Sequence, residues 1–131
     1  MSFLQDIPCY AAMLSPLTLA FVGDAVYELL VREWLAREAN RPANDLHSES
    51  VAKVCAKAQS KAAGLLIPLL NDEELSVYKR GRNAHVNHIP RHADPADYHA
   101  ATGLETLFGF LYLNGKNDRI LELFNIICEN P

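Results

Sequence analysis

Residues 17–35 constrain the chain more than any other stretch. Leu17-Thr18-Leu19-Ala20-Phe21-Val22-Gly23-Asp24-Ala25-Val26-Tyr27-Glu28-Leu29-Leu30-Val31-Arg32-Glu33-Trp34-Leu35 reads as one long helix, apolar on nearly every face. A helix apolar all round is normally buried, so the rest of the chain must cover it. Yet Asp24 stands in the middle of this rod, beside Gly23. An isolated carboxylate in a dry interior costs many kcal/mol unless it is paired or ligates a metal. The first question is therefore what Asp24 faces.

The length of 131 residues suggests one domain spanning 1–131, large enough for a real core. No apolar run reaches the ~18 residues needed to cross a bilayer. The start, Met1-Ser2-Phe3-Leu4-Gln5-Asp6, has no basic lead of the secretory kind. Cys9, Cys55 and Cys128 are odd in number and far apart, which reads as reduced, partly buried thiols. These signs together predict a cytoplasmic protein with no membrane partner. The net charge of −4 argues against a generic nucleic-acid binder. The charge is uneven, however. Residues 47–92 carry seven Lys/Arg (Lys53, Lys57, Lys61, Lys79, Arg80, Arg82, Arg91) against four Asp/Glu, while both flanking thirds are acidic. That leaves either a phosphate-binding patch on an acidic body or a set of solvated helix faces.

Helix signals follow one another with no convincing strand or repeat, so the fold class is all-α. Ser15-Pro16 is an N-cap followed by proline at the first helical position, and this helix runs to about Glu38. A second helix is expected over 45–62, with Gly64 breaking it. Its Lys53, Lys57 and Lys61, spaced by four, would form one basic stripe. Asn71-Asp72-Glu73-Glu74 opens a third helix that runs into Lys79-Arg80-Gly81-Arg82-Asn83-Ala84. His85, His88 and His92 lie in a polar loop. Their spacing is not a zinc-ligand pattern, and contact with phosphate is the better reading. Asp94-Pro95 opens a fourth helix ending at Leu113 before Asn114-Gly115, and a last helix covers about 118–129.

The fourth helix mirrors the first. Glu105 lies mid-helix in Ala101-Thr102-Gly103-Leu104-Glu105-Thr106-Leu107-Phe108-Gly109. Glycine inside a helix costs about 1 kcal/mol against alanine, so Gly23, Gly103 and Gly109 need a reason. Close helix–helix approach supplies one, and it would bring Asp24 and Glu105 together. Two facing carboxylates repel, and a divalent ion such as Mg²⁺ or Mn²⁺ resolves the conflict. Alternatively each carboxylate pairs with its own cation or points to solvent. Glu28, four residues after Asp24, is a further ligand of such an ion, assists it from its outer shell, or pairs with Arg32.

At Phe21-Val22-Gly23-Asp24-Ala25 the chain resembles the signature helix of the ribonuclease III endonuclease domain. Glu105-Thr106-Leu107-Phe108-Gly109, about 80 residues later, is similar to that family's second metal-binding element. Asn44-Asp45-Leu46-His47 and Lys79-Arg80-Gly81-Arg82-Asn83-Ala84 are similar to stretches of its Mini-ribonuclease III branch, which lacks a double-stranded-RNA-binding domain. The likeness spans about residues 15–125. Leu17, Ala20 and Thr102 stand where the larger family usually has further carboxylates. The resemblance implies a homodimeric, Mg²⁺-dependent endoribonuclease (Mn²⁺ a substitute) that cuts double-stranded RNA, matures precursor 23S ribosomal RNA, and leaves 5′-phosphate and 3′-hydroxyl ends. It implies Asp24 and Glu105 as catalytic metal ligands, with Glu28 in the outer shell. Lys79, Arg80, Arg82, Asn83, His47, Lys53 and Lys57 would contact RNA. The competing readings are a catalytically idle module that binds structured RNA during ribosome assembly and, more remotely, a helical nucleotide phosphohydrolase. The latter lacks an adjacent His-Asp pair, because Ala93 separates His92 from Asp94.

Overall fold

The computed structural model describes residues 10–131. Six α-helices follow one another: α1 (Pro16–Glu38), α2 (Ala43–Val54), α3 (Ala56–Leu66), α4 (Asp72–Arg82), α5 (Pro95–Leu113) and α6 (Asn117–Glu129). Short 3₁₀ turns at Ala11–Met13 and Ile67–Leu69 complete the regular structure, and there is no strand among the described residues. None of the described helices is long and apolar enough to cross a membrane. Cys9 lies outside the described residues. Cys55 is exposed and Cys128 half-buried, both as free thiols.

Local chemistry sets most helix starts. Ser15 Oγ accepts the Thr18 N–H at 3.2 Å, with Pro16 next in line. Asp94 Oδ1 accepts the Ala96 and Asp97 N–H groups at 2.8 and 3.4 Å, ahead of Pro95. Asn71 and Glu74 form a reciprocal capping box: Glu74 N–H donates to Asn71 Oδ1 at 2.8 Å, and Asn71 N–H donates to Glu74 Oε1 at 3.0 Å. Each device satisfies backbone donors that a helix start leaves without partners.

The stretch 45–62 is not one helix. The chain turns at Cys55, whose backbone is extended (φ −62°, ψ 159°), so α2 and α3 are separate rods. Neither glycine nor proline marks the break. Gly64, expected as a breaker, lies inside α3, and nothing stands within 4 Å of where its Cβ would be. The break also dissolves the lysine stripe. Lys53 Nζ lies 3.9 Å from the centroid of the Trp34 ring, Lys57 is exposed on α3, and Lys61 donates to the Pro131 carbonyl at 3.0 Å.

Helix α5 is the axis of the fold, buried from Ala101 to Leu111 except at Glu105. It meets two helices at glycines. A Cβ on Gly23 of α1 would stand 1.6 Å from the Glu105 carbonyl oxygen, and one on Gly109 would stand 1.9 Å from the Leu19 carbonyl oxygen. On another side of α5, a Cβ on Gly81 of α4 would stand 2.2 Å from Thr106 Oγ1, and one on Gly103 would meet the Tyr78 carbonyl oxygen at 2.9 Å. The glycines of α1 and α5 thus have the close-approach role expected of them, although Gly103 serves α4 rather than α1. Gly81, inside the basic run Lys79–Arg82, packs against α5. An edge-to-face aromatic chain closes the far end of the core. Tyr27 meets Phe108 and Phe124 at 5.4 and 5.7 Å between centroids, and Trp34 meets Phe124 at 6.1 Å.

Candidate active site at the crossing of α1 and α5

Backbone contact between α1 and α5 at Gly23 sets the positions of the side chains beside it. Asp24, next to Gly23, and Glu105, whose carbonyl lies against Gly23, face one another within hydrogen-bonding range. A hydrogen bond between two carboxyls needs a proton on one of them. Burial first, and then the Asp24 charge, push the Glu105 carboxyl up to about 8. None of the ion pairs among the described residues involves either group. Asp24 is not enclosed as the apolar sequence suggested. It is exposed on an open face of α1, with Phe21 at 81 % and Leu29 at 67 % exposure. This face borders a cleft of about 800 Å³ lined by Phe21, Asp24, Ala25, Glu28, Leu29, Tyr112 and Leu121.

Glu28 takes the alternative of a local ion pair. Its Oε1 accepts from Arg32 Nε at 2.9 Å and from Ser50 Oγ, on α2, at 3.2 Å. It lines the same cleft as Asp24. Thr102, three residues before Glu105, donates its hydroxyl back to the Tyr98 carbonyl at 3.0 Å. Among the described residues, no group of three or more His, Cys, Asp and Glu side chains is arranged to hold a metal. The chemistry of the pair still suits Mg²⁺. Its donors are hard oxygens with no competing cation among the described residues, and Mg²⁺ takes few protein ligands while keeping several waters.

Gln59, which the sequence did not single out, is the third member of the site. It is 3 % exposed, and its Nε2 donates to Glu105 Oε2 at 3.3 Å and to the Val54 carbonyl at 2.9 Å. A signal was present. Gln59 sits four residues from both Cys55 and Ala63, a polar amide on the stripe of α3 that also carries Ala62, Ala63 and Leu66 into the core.

The residues expected to contact RNA have different local surroundings. Lys79, Arg80 and Asn83 line a shallow cleft of about 460 Å³ on α4, together with Ser76. Arg82 turns toward the Tyr78 ring, 5.8 Å from its centroid, and donates to Asn83 Oδ1 at 3.3 Å. Arg80 reaches the Leu14 carbonyl at 3.4 Å. His47 is exposed on α2 and lines a separate hollow with Arg32 and Leu35. Lys53 is engaged with Trp34.

Residues 17–116 match the Ribonuclease III domain. The chain is 46 % identical over 116 residues to the Mini-ribonuclease 3 of Symbiobacterium thermophilum, an alignment covering 88 % of this chain and 89 % of that protein. It is 46 % identical to the Mini-ribonuclease 3 of Brevibacillus brevis over 109 residues, 83 % of this chain and 81 % of that one. An X-ray crystal structure of a protein from Fusobacterium nucleatum superposes with a TM-score of 0.83 at 33 % identity, over 89 % of this chain and 93 % of that one. With the glycine crossing and its carboxylate pair, these matches identify the chain as a member of the ribonuclease III family of endoribonucleases, in its Mini-ribonuclease III branch.

Proposed function

We propose that the chain cleaves double-stranded RNA in a Mg²⁺-dependent reaction, with Mn²⁺ as a substitute, and that its substrate in the cell is precursor 23S ribosomal RNA. The observation that carries this reading is the Asp24–Glu105 pair, two facing carboxylates with no cationic partner among the described residues. Such a pair is stable in its charged form only with a cation between or beside its oxygens.

Asp24 and Glu105 would hold the ion, and Glu28, in the same cleft, would take part in its outer shell. The ion would supply Lewis acidity toward the scissile phosphate and would ease loss of a proton from the attacking water. Glu105 must lose its proton before it can hold the ion. Asp24, exposed on α1, would be the ligand that an RNA backbone reaches first. Lys79 and Arg80 on α4 and Asn83 at its end would hold phosphates, joined by the exposed His47 and Lys57 and, on leaving their present contacts, by Arg82 and Lys53. Duplex RNA is read mainly through phosphates and 2′-hydroxyls, so scattered contacts are compatible with recognition by shape. The products would be a 5′-phosphate and a 3′-hydroxyl.

We further infer a homodimer with one site for each strand. Phe21 and Leu29 leave large apolar surface open beside Asp24, and a second copy would cover it through a two-fold contact. The alternative, an RNA-binding module without activity, draws on the thin ligand set, with Thr102 bonded into its own helix.

The test is incubation of the purified protein with a duplex RNA, in Mg²⁺ or in chelator, beside the Asp24→Asn variant. Cleavage should need the metal. It should fall by about 10³-fold in the variant, the scale on which loss of a main electrostatic stabiliser slows a reaction. Undiminished cleavage by Asp24→Asn removes the assignment. Binding without cleavage by the wild type with Mg²⁺ present favours the inactive module.

A further inference from the structure

Gln59 lies where the helix break and the carboxylate pair meet. We infer that Gln59 is a positioning residue, whose buried amide fixes the Glu105 carboxylate in the orientation that binds the divalent ion by tying it to the end of α2. The inference rests on the metal-site reading above and adds a residue to it.

The orientation of the amide is unambiguous. Nε2 lies 2.9 Å from the Val54 carbonyl, which only accepts, and 3.3 Å from Glu105 Oε2. Exchanging nitrogen and oxygen would set one carbonyl against another at Val54. Val54 is the last residue of α2, and its carbonyl is among the acceptors that a helix end leaves without an intrahelical donor. Gln59 stands in the first turn of α3, after the extended Cys55, and its backbone N–H donates to the Cys55 carbonyl at 3.0 Å. One side chain therefore closes the α2–α3 break and holds Glu105. The remaining atom, Oε1, is buried without a partner among the described residues. It is the amide's free acceptor beside the pair, suited to a proton from a water that enters with the ion.

The residue type matters. A lysine or arginine in this position would neutralise Glu105 and displace a divalent ion. A glutamate would add a third negative charge with no proton to donate. A neutral amide holds one carboxylate oxygen and leaves the charge of the pair for the metal. Because α2 also carries Ser50, which donates to Glu28, a shift of α2 would reach the site by two routes.

The experiment compares Mn²⁺ affinity, by electron paramagnetic resonance of free Mn²⁺ and by calorimetry, with kcat and KM on a duplex RNA. The variants are Gln59→Met, of similar length but without hydrogen bonds, and Gln59→Asn, which retains an amide too short to span both acceptors. Leu66→Val, elsewhere in the buried stripe of α3, is the control for destabilisation alone. Both Gln59 variants should bind Mn²⁺ about 10-fold or more weakly, as changes in groups that orient metal ligands do. Their kcat should fall and their KM hold. Leu66→Val should lower the Tm and leave Mn²⁺ affinity unchanged. A folded Gln59 variant with wild-type Mn²⁺ affinity would make the residue structural only and overturn the inference. A wild type that binds no Mn²⁺ would instead overturn the metal site itself, and this inference with it.

Discussion

Glu74 and Glu105 are both glutamates drawn into the protein, one from the end of an acidic run and one from among apolar and small residues, and their surroundings drive them in opposite directions. Glu74 is 3 % exposed in the first turn of α4. Burial alone would raise its carboxyl, but Arg119 and the Asn71 N–H outweigh burial and hold it below the usual carboxylate range. Arg119 grips it through Nε at 2.8 Å and Nη2 at 2.9 Å, while also bonding the Leu69 carbonyl at 2.9 Å and Glu122. Glu105 has an amide and another carboxylate where Glu74 has a guanidinium, and it goes up to about 8. The first environment is complete within the chain. In the second a proton on Glu105 takes the place of the guanidinium, and under the function proposed above a cation from outside would replace that proton.

The largest expected effect breaks the complete site. Arg119→Ala leaves the Glu74 carboxylate buried without its cation and removes the tie to the Leu69 carbonyl. Loss of one partner from a buried pair costs about 3–5 kcal/mol, and Arg119, partly exposed, belongs at the lower end of that range. Urea unfolding at pH 7 should show a midpoint shift of that size. A change under about 1 kcal/mol would mean that the capping box alone holds Glu74.

Removing the charge at Glu105 should do the reverse. In metal-free protein Glu105→Gln should stabilise the fold by about 2 kcal/mol at pH 9, with a gain that vanishes toward pH 4. The sign comes from the raised carboxyl. Its protonated form is the one the fold favours, so its contribution is complete below the ordinary carboxylate value and is lost as pH rises through about 8. Glu74 has the opposite sign: held low, it stabilises above the ordinary carboxylate value and fails as pH falls. The metal-free wild type should thus lose stability at both ends, and added Mg²⁺ should restore only the alkaline loss. Unfolding midpoints measured across pH, with and without Mg²⁺, check both statements. Equal stability of wild type and Glu105→Gln at pH 9 would remove the claim that the carboxyl is held protonated.

The two glutamates also mark the boundary of what the sequence could reveal. Helix starts were legible because caps are local: Ser15-Pro16 and Asp94-Pro95 satisfy donors one turn away. The meeting of α1 and α5 was legible because Gly23 and Gly109 have no other justification inside helices. The pairing of Glu74 was not, since Arg119 comes from 45 residues along the chain and nothing near Glu74 announces it. The break at Cys55 was hidden for the same reason. Good helix formers stand on both sides, and the extended residue is bridged by Gln59, through a side-chain bond that no periodicity reports. Nor could apolar residues tell an enclosed face of α1 from an open one. Phe21 and Leu29 are as hydrophobic as Leu19 and Val31, yet only the latter two are buried.

The smallest effect isolates the term that makes Glu105 a partner of Asp24 rather than merely a buried acid. Burial is the larger cause of its raised carboxyl and the Asp24 charge the second. In Asp24→Asn the burial remains and the repulsion goes. The Glu105 titration, tracked by carbon NMR of its carboxyl in metal-free protein, should move to lower pH and still lie above the ordinary carboxylate range. The stability gained at pH 9 should be smaller than in Glu105→Gln, under about 1 kcal/mol, because Asp24 is exposed and water screens its charge. An unmoved titration would mean that the two carboxyls do not face each other in solution. A return to the ordinary value would mean that burial contributes nothing and Glu105 is open to water. A partial return alone fits an acid shielded by α5 and α3 on one side and confronted by Asp24 on the other, the arrangement on which the proposed divalent site rests.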